Sequence, residues 1–390
     1  MSDIKSLEQQ HIMPTYGRFP VALVKGQGAC AVSDDGKTYL DFTTGIGVNA
    51  LGYCPEGWVR AVCEQAATLQ HTSNLYYSKP QAELAQRLHE LTGFGKVFFA
   101  NSGAEANECA IKLARKYGCD RFGETHTKIV TLQNSFHGRT ITTLAATGQD
   151  TFHHYFNPFT EGFSYADAES LESIQKAADA DTCAVFIELI QGEGGVRPLD
   201  PAFVKGLSDF CKEKEILLMI DEVQTGVART GKLFCYEHFG IQPDVITSAK
   251  GLGGGLPIGA CLCTEELGKI LNSGMHGSTF GGNPVACAGA LAILEQVAKP
   301  EFLKEVREKG EYLAKKLREI PGIVEVRGKG LMIGAVLEET RKAADIAKAC
   351  VEQGLLILTA KTLLRFLPPL NISCDDLDRG LAILRQVLNP

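Results

Sequence analysis

The chain has 390 residues, of which 45% are apolar and 22% are charged. This composition excludes a disordered or fibrous protein, and the length favours two domains or one large α/β unit. The net charge of −7 argues against nucleic acid as a partner, since a polyanion would be repelled.

The N-terminal segment and the cysteines predict where the protein works. The first residues contain neither an apolar core nor an Arg-rich amphipathic face, so no secretion or import signal is predicted. No apolar run in the sequence approaches the ~18 residues of a membrane span. The 13 cysteines are scattered without zinc spacing. We therefore expect a cytoplasmic protein with reduced thiols, no metal site and no membrane partner.

Short β-rich segments alternate with helical patterns through the first three quarters of the chain. The stretch AVSDDGKTYLDF predicts a hairpin with its turn at Asp35 and Gly36. A strand at 96–101 precedes a helix at 104–117, and one further helix is predicted for PAFVKGLSDFCKEKE. Buried strands are predicted for KIVTL, CAVFIEL, ILLMIDE and DVITSAK. This alternation is typical of a largely parallel sheet covered by helices.

After residue 283 the pattern changes to that of an α+β unit. A long apolar helix (NPVACAGALAILEQV) precedes an amphipathic helix at 300–320 and the segment VEVRGKGLMIGAVL. A helix near 341–353, the strand LLIL and a last helix from Ser373 complete the chain. Because the N-terminal hairpin is expected to pack with this unit, we predict a large domain at 51–298 and a small domain assembled from 1–50 and 299–390.

Glycine is in excess, because 41 of the 390 residues are glycine, more than one in ten, whereas a share of ~7% is usual. The excess is concentrated in a few segments. The first of these, NSGAEAN at 101–107, lies between a predicted strand and a predicted helix. Ser102 and Glu105 have the spacing of a capping box, so Ser102, Gly103 and Ala104 would offer a hydroxyl and free N–H groups at a positive helix end. Such a cradle suits a phosphate, although an ordinary capped helix explains the same residues.

A second glycine cluster, GQGACA at 26–31, matches a dinucleotide-binding fingerprint letter by letter. The fingerprint requires a helix after the glycines, whereas a hairpin pattern follows here. We therefore interpret this cluster as a turn.

Asp221 and Lys250 are each predicted to end an apolar strand. A carboxylate there is costly to bury without a partner, so Asp221 is expected to face a cation or a cleft. Lys250 is followed by GLGGG, which clears space around its amine. The two could form a structural ion pair, but a lysine in a cramped pocket is also a candidate for Schiff-base chemistry with a carbonyl. A phosphate cradle, an aspartate and a lysine are together what pyridoxal phosphate requires.

With these parts present, the sequence resembles the class III (ornithine-type) aminotransferases of fold type I. The segments that carry the resemblance occur in the family's order over nearly the whole chain: PTYGRFPV, NSGAEANECAIKLARKY, SFHGRT, IQGEGGV, DEVQTGVARTGK, SAKGLGGGLPIGA, STFGGNPVACAGA and LLRFLPPL. The resemblance implies an α/β fold in which a large domain has a mostly parallel, seven-stranded sheet and both termini build a small α+β domain. It also implies pyridoxal 5′-phosphate as the cofactor and a homodimer with shared active sites.

The resemblance implies a role for each residue around the cofactor ring. Lys250 would bind the cofactor covalently and move a proton between the substrate and cofactor carbons. Asp221 would keep the pyridine nitrogen protonated, which makes the ring an electron sink. Gln224 would hydrogen-bond the ring hydroxyl, and Phe136 would stack on the ring, unless it is a plain core residue.

The cofactor's phosphate is implied to lie between two subunits. Ser102, Gly103 and Ala104 would bind it from one subunit, and Thr279 would reach the phosphate of the neighbouring subunit. Ser278 would contact the amine donor, again across the dimer.

Arginines would select the substrates, because a guanidinium binds carboxylates bidentately. The resemblance assigns one substrate carboxylate to Arg139 and the α-carboxylate of 2-oxoglutarate to Arg365. Glu193 would be a gate that masks Arg365 while the amine donor is bound. Surface ion pairs for the arginines and an exposed loop carboxylate for Glu193 are the ordinary alternatives, although an idle charge at Arg365 would be costly in its apolar run.

The implied reaction moves the terminal amino group of N2-acetyl-L-ornithine to 2-oxoglutarate through pyridoxamine phosphate. Its products are N-acetyl-L-glutamate 5-semialdehyde and L-glutamate, and its setting is arginine biosynthesis. Succinylornithine, N-succinyldiaminopimelate, ornithine and 4-aminobutyrate remain alternative donors. A pyridoxal phosphate aminomutase or racemase is less favoured because it need not admit a dicarboxylic keto acid at Arg365. A binding protein without catalysis is disfavoured by the combination of Lys250, Asp221 and Arg139.

Overall fold

The computed structural model of the protein describes residues 4–389. The strands in chain order are β1 Leu23–Gln27, β2 Cys30–Ser33, β3 Thr38–Asp41, β4 Lys96–Ala100, β5 Lys128–Leu132, β6 Phe163–Ala166, β7 Thr182–Ile187, β8 Ile190–Gln191, β9 Arg197–Pro198, β10 Leu217–Asp221, β11 Val245–Ser248, β12 Gly259–Cys263, β13 Ile323–Lys329, β14 Met332–Leu337, β15 Leu355–Leu356, β16 Leu358–Ala360 and β17 Leu363–Phe366. The helices are α1 Ile4–His11, α2 Thr44–Gly47, α3 Glu56–Thr68, α4 Lys79–Thr92, α5 Gly103–Phe122, α6 Ile141–Ala146, α7 Leu171–Ala177, α8 Pro201–Lys214, α9 Pro284–Val297, α10 Pro300–Arg318, α11 Ala343–Glu352 and α12 Cys374–Leu388.

The central sheet, within residues 4–389, has seven strands in the order β4-β12-β11-β10-β7-β5-β6. β10 is parallel to β11 and β7, and β5 is parallel to β6 and β7, whereas β12 is antiparallel to both of its neighbours. The prediction of a mostly parallel sheet covered by helices is therefore confirmed. Strand β12 was not predicted, because its five buried residues, GACLC, directly follow a glycine-rich run and were not recognised as a separate strand.

The alternation of side chains along β10 builds a core on each face of this sheet. Leu217 and Met219 join the apolar cluster formed with α5, and Leu218 and Ile220 join the larger cluster on the other face. Helix α5 packs against β4, β7, β11 and β12. Because Asp221 is an odd-numbered residue of β10, it lies on the face that α5 covers.

The two ends of the chain are joined by strand pairing. β1, β2 and β3 form an antiparallel meander around the predicted turn at Asp35 and Gly36, and β3 pairs in parallel with β15. A second antiparallel sheet has the order β13-β14-β17-β16. The prediction of LLIL as one strand is wrong, because the chain changes sheets at the buried Ile357.

This pairing of β3 with β15 supports a small domain built from both termini, and the boundaries at residues 50 and 298 stay a prediction. Residues 1–3 and 390, at the ends of the predicted outer ranges, lie outside the described residues. All 13 cysteines are free thiols, most of them buried. Between residues 4 and 389 no helix is long and apolar enough to cross a bilayer.

Candidate active site

A cavity of about 460 Å³ lies at the carboxyl edge of the parallel strands. Chain segments that follow β4, β5, β10 and β11 meet there, as neighbouring parallel strands require. The predicted site residues that line it are Ser102, Gly103, Ala104, Phe136, Arg139, Asp221, Gln224 and Lys250.

Asp221 is the buried carboxylate of this cavity, and three donors orient it. Its Oδ2 accepts hydrogen bonds from Asn107 Nδ2 at 2.8 Å and from His137 Nδ1 at 2.9 Å. Its Oδ1 accepts the N–H of Val223 at 3.0 Å. The His137 ring stacks on Phe186 with 4.3 Å between centroids, which holds the imidazole in place. The carboxylate is therefore rigidly positioned at the cavity wall.

Lys250 begins a short 3₁₀ turn, Lys250–Leu252, two residues beyond the end of β11. The prediction that it ends the strand is wrong, because the ladder closes at the pair Ser248 and Ala260 and the backbone of Lys250 then turns to φ 45°. A lysine in this left-handed region is strained, and such strain is concentrated at functional sites. No ion pair between Lys250 and Asp221 occurs in the part of the chain that the structure describes.

Burial lowers the pKa of the Lys250 amine, and the positive charge of Arg365 lowers it further. The carboxylates of Glu193, Asp221 and Glu188 oppose this change. A lowered pKa increases the fraction of neutral amine, which is the form that attacks a carbonyl.

The amino end of α5 forms the predicted phosphate cradle. Ser102 is the N-cap, and its hydroxyl accepts the N–H of Glu105 at 3.2 Å. The Glu105 carboxylate accepts the N–H of Asn101 at 2.6 Å, one residue earlier than the capping-box pattern predicts. At Gly103 a Cβ would lie 2.7 Å from the Val223 side chain, so only glycine fits there. Together with Asp221 and Lys250, this positive helix end fits pyridoxal phosphate.

Arg365 lies on β17, where only 2% of its surface is exposed. Its Nη1 donates to Glu193 Oε1 at 2.6 Å and to Gln224 Oε1 at 3.4 Å. Its Nε, by contrast, has no hydrogen-bond partner among residues 4–389. At Gly192 a Cβ would lie 2.5 Å from the Gln224 amide, so the loop that carries Glu193 passes directly over Gln224. The structure thus brings the predicted gate and the predicted carboxylate-binding arginine together.

Arg139 lies at the exposed side of the cavity, held by aromatic rings. Its guanidinium is 4.1 Å from the ring centroid of Phe152 and 5.5 Å from that of Phe136. Phe136 also makes an edge contact with Phe152. The arginine therefore has a defined position at the mouth of the site, and within residues 4–389 it forms no ion pair with a carboxylate.

Ser278 and Thr279 lie on the loop before α9 and do not line the cavity of their own chain among the described residues. The Ser278 hydroxyl accepts Asn101 Nδ2 at 3.1 Å and the Gly281 N–H at 2.9 Å. Thr279 is exposed. This loop is therefore anchored through Asn101 beside the phosphate cradle.

Three buried polar residues of the site were not assigned a role from the sequence: Asn107, His137 and Glu188. Each lies inside a segment that was recognised, but its partner is distant in sequence. Asn107 and His137 bond Asp221 across 114 and 84 residues. The sequence feature that could have identified such residues was a polar residue within a predicted buried helix or next to an active-site aromatic residue.

Glu222, next to Asp221, gives a pH-dependent stability. Burial raises its pKa to about 7, although it accepts the N–H of Tyr236 at 2.8 Å and the hydroxyl of Thr225. Between pH 4.5 and 7 the folded state therefore binds more protons than the unfolded state. As a result, the free energy of unfolding decreases as pH rises through that range, and the total decrease from this group is about 3 kcal/mol. We expect Glu222→Gln to melt at a higher temperature than the wild type at pH 8 and to lose this advantage at pH 5. A constant difference in melting temperature from pH 5 to 8 would contradict the assignment.

The α/β fold, with its phosphate cradle, aspartate and lysine at one edge of the sheet, defines a pyridoxal phosphate enzyme of fold type I. Residues 12–388 match the profile of the family described as aminotransferase class-III. The chain belongs to the class-III aminotransferases, and it is a pyridoxal phosphate-dependent aminotransferase.

Similar proteins cover the whole chain. The acetylornithine aminotransferase of Haemophilus ducreyi is 52% identical over 388 residues, which cover 99% of this chain and 98% of that protein. The acetylornithine aminotransferase of Aquifex aeolicus is 49% identical over 381 residues, with coverage of 97% and 100%. The solved ornithine aminotransferase of Toxoplasma gondii superposes with a TM-score of 0.94 at 31% identity, covering 98% of this chain and 93% of that one. The N-acetylornithine aminotransferase of Stenotrophomonas maltophilia gives 0.85 at 36% identity, with coverage of 98% and 97%.

Proposed function

We propose that this aminotransferase takes the terminal amino group of N2-acetyl-L-ornithine and transfers it to 2-oxoglutarate, as a step of arginine biosynthesis. The names of the relatives at 52% and 49% identity support this donor. The observation that carries the proposal is the buried Arg365 covered by Glu193 at 2.6 Å beside Lys250. In a site with this pair, the positive charge of Arg365 can be either available to a carboxylate or neutralised by Glu193. An enzyme that binds an amine donor and a dicarboxylic acceptor in turn requires both states.

Pyridoxal phosphate supplies an aldehyde that condenses with amines and a protonated ring that draws electrons from the adjacent carbon. Lys250 would hold the cofactor through its neutral amine and would take and return the proton of the substrate carbon. Asp221, oriented by Asn107 and His137, would hold the ring nitrogen in its protonated form. Ser102 and the N–H groups of the α5 terminus hold the phosphate.

The two arginines divide the carboxylates of the substrates. Arg139, at the mouth, binds the carboxylate of acetylornithine and the distal carboxylate of 2-oxoglutarate. Arg365 binds the α-carboxylate of 2-oxoglutarate through its guanidinium, and the unpartnered Nε is a donor available for a bidentate arrangement. Glu193 neutralises Arg365 while the donor is bound and leaves it when the keto acid enters. Because 31% of the Glu193 side chain is exposed, this carboxylate can move without a large loss of packing.

The proposal includes a homodimer whose active sites are shared and a cytoplasmic location. Thr279 would bind the phosphate in the neighbouring subunit, and Ser278 would contact the donor there. Large apolar side chains exposed in the single chain support such an interface: Met13, Tyr16, Leu75, Tyr76, Tyr77 and Phe280. The free thiols support a reducing compartment.

A donor panel with the purified holoenzyme and 2-oxoglutarate tests the substrate. We expect acetylornithine to have the highest kcat/KM, at least about tenfold above ornithine and 4-aminobutyrate, since a pocket adapted to the acyl group discriminates against donors that lack it. Succinylornithine and N-succinyldiaminopimelate complete the panel. A best donor other than acetylornithine would remove the proposed substrate while leaving the family in place. Amino-group migration without consumption of 2-oxoglutarate would instead favour an aminomutase.

A further inference from the structure

A second carboxyl group faces the cavity beside Asp221 and has no assigned role. Glu188 follows β7, is 5% exposed and lines the cavity wall. Its Oε2 accepts the N–H of Phe136 at 2.8 Å, and its Oε1 accepts the N–H of Gly192 at 3.4 Å. One side chain thus bonds two loops that come from different parts of the chain.

A carboxylate suits this position because both N–H groups need an acceptor. Both of its oxygens accept, whereas an amide offers one accepting oxygen and a donating NH₂ group that repels an N–H. Burial and the neighbouring Asp221 carboxylate raise the pKa of Glu188, and the two N–H groups and the charge of Lys250 oppose this. A carboxylate is therefore costly here, and the two backbone bonds are the contacts that offset its burial.

The two loops carry the opposite ends of the substrate site. Phe136 precedes Arg139 by three residues, and the Arg139 guanidinium rests over the rings of Phe136 and Phe152. Gly192 precedes Glu193, whose carboxylate covers Arg365. A shift of the Gly192 backbone moves Glu193 relative to Arg365, because one peptide unit separates the bonded N–H from the gate residue.

We infer that Glu188 is a positioning residue that sets the distance between the Arg139 loop and the gate loop, and so the balance between the two half-reactions. This inference rests on the proposed gate for its kinetic consequence, but not for its structural one. Glu188 acts through the backbone of Phe136 and Gly192 and exchanges no proton with the substrate.

Hydrogen exchange measured by mass spectrometry on the holoenzyme tests the structural part without any substrate. We expect Glu188→Gln to raise amide exchange about fivefold or more in both segments, 133–139 and 189–196. Glu188→Asp keeps the charge but is shorter, and we expect it to raise exchange mainly in 189–196, since the Gly192 bond is the longer one. The control is Asp244→Asn, a half-buried carboxyl that accepts the Leu218 N–H at 2.8 Å at the opposite edge of the sheet. Unchanged exchange in both segments with either Glu188 variant overturns the inference, as does an equal rise in Asp244→Asn.

Kinetics test the functional part with whichever donor the panel ranks first. We expect Glu188→Gln to change the ratio of kcat/KM for 2-oxoglutarate to kcat/KM for that donor about fivefold, and Asp244→Asn to leave the ratio unchanged. In a Glu193→Ala background the same Glu188→Gln change should no longer alter the ratio, because the gate through which it acts is gone. An effect that persists in full in that background overturns the action through the gate, whatever the identity of the donor. A failure of the proposed substrate appears only in the panel.

Discussion

Lys250→Ala is expected to lower kcat with every amine donor by about 10³-fold or more. In the proposed function, the change removes both the amine that would bind the cofactor covalently and the base that would move the substrate proton, and the proton transfer alone is worth about 10² to 10⁴. The visible absorbance of the lysine-bound cofactor is expected to disappear in the absence of donor. The measurement is steady-state kinetics together with the absorption spectrum of the purified protein.

The control for this variant is Lys361→Ala, an exposed lysine that bonds Asn134 near the gate loop. We expect it to keep the covalent linkage. Borohydride reduction followed by peptide mapping identifies the modified lysine in each protein. Visible absorbance of a lysine-bound cofactor that persists in Lys250→Ala, or a reduced adduct on another lysine in the wild type, would remove the central assignment.

Arg365→Ala is expected to lower kcat/KM for 2-oxoglutarate by about 10² to 10³-fold, because a buried bidentate bond to a carboxylate is lost. The effect on the donor half-reaction should be less than about tenfold, since Glu193 covers Arg365 in that half. Single-turnover experiments that start from each form of the cofactor measure the two halves separately.

Arg197→Ala is the matched control, because Arg197 is an exposed arginine just after the loop that carries Glu193. It should leave both half-reactions within about threefold of the wild type, since an exposed cation contributes little. Equal losses in the two halves for Arg365→Ala would argue that this arginine supports the fold instead of choosing the keto acid. In Arg365→Ala, Glu193 loses its partner, and its carboxylate then repels the carboxylate of the keto acid. This repulsion adds to the effect of losing the guanidinium and enlarges the expected difference between the two half-reactions.

The bond between Arg365 and Glu193 also affects the relative rates of the donor and keto-acid half-reactions. A guanidinium buried to 2% exposure without a partner would be costly, so the carboxylate stabilises the site when no keto acid is bound. In the proposed function, the keto acid replaces that bond with its own carboxylate. Binding of the keto acid would then exchange one ion pair for another, and the more exposed Glu193 would be the partner that moves.

Local features of the chain could be predicted from the sequence because they depend on neighbours within a few residues. The Ser102 cap at the start of α5, the hairpin at Asp35 and Gly36, and Asp221 at the end of β10 follow from periodicity, turn residues and the cost of a charge in an apolar strand. The position of Lys250 relative to its strand was wrong by two residues, because the end of β11 depends on its pairing with β12. That pairing joins segments on either side of the glycine-rich run.

The sequence by itself therefore determined the family, the cofactor and the residue types of the site. The tertiary structure alone decided two sets of contacts: Asn107 and His137 with Asp221, and Glu188 with the backbone of Phe136 and Gly192. The physical reason is that a periodic pattern records only which face of an element is buried, whereas these hydrogen bonds join different elements. The partner of a buried polar group depends on how sheets and loops pack in space, and no local pattern records that packing.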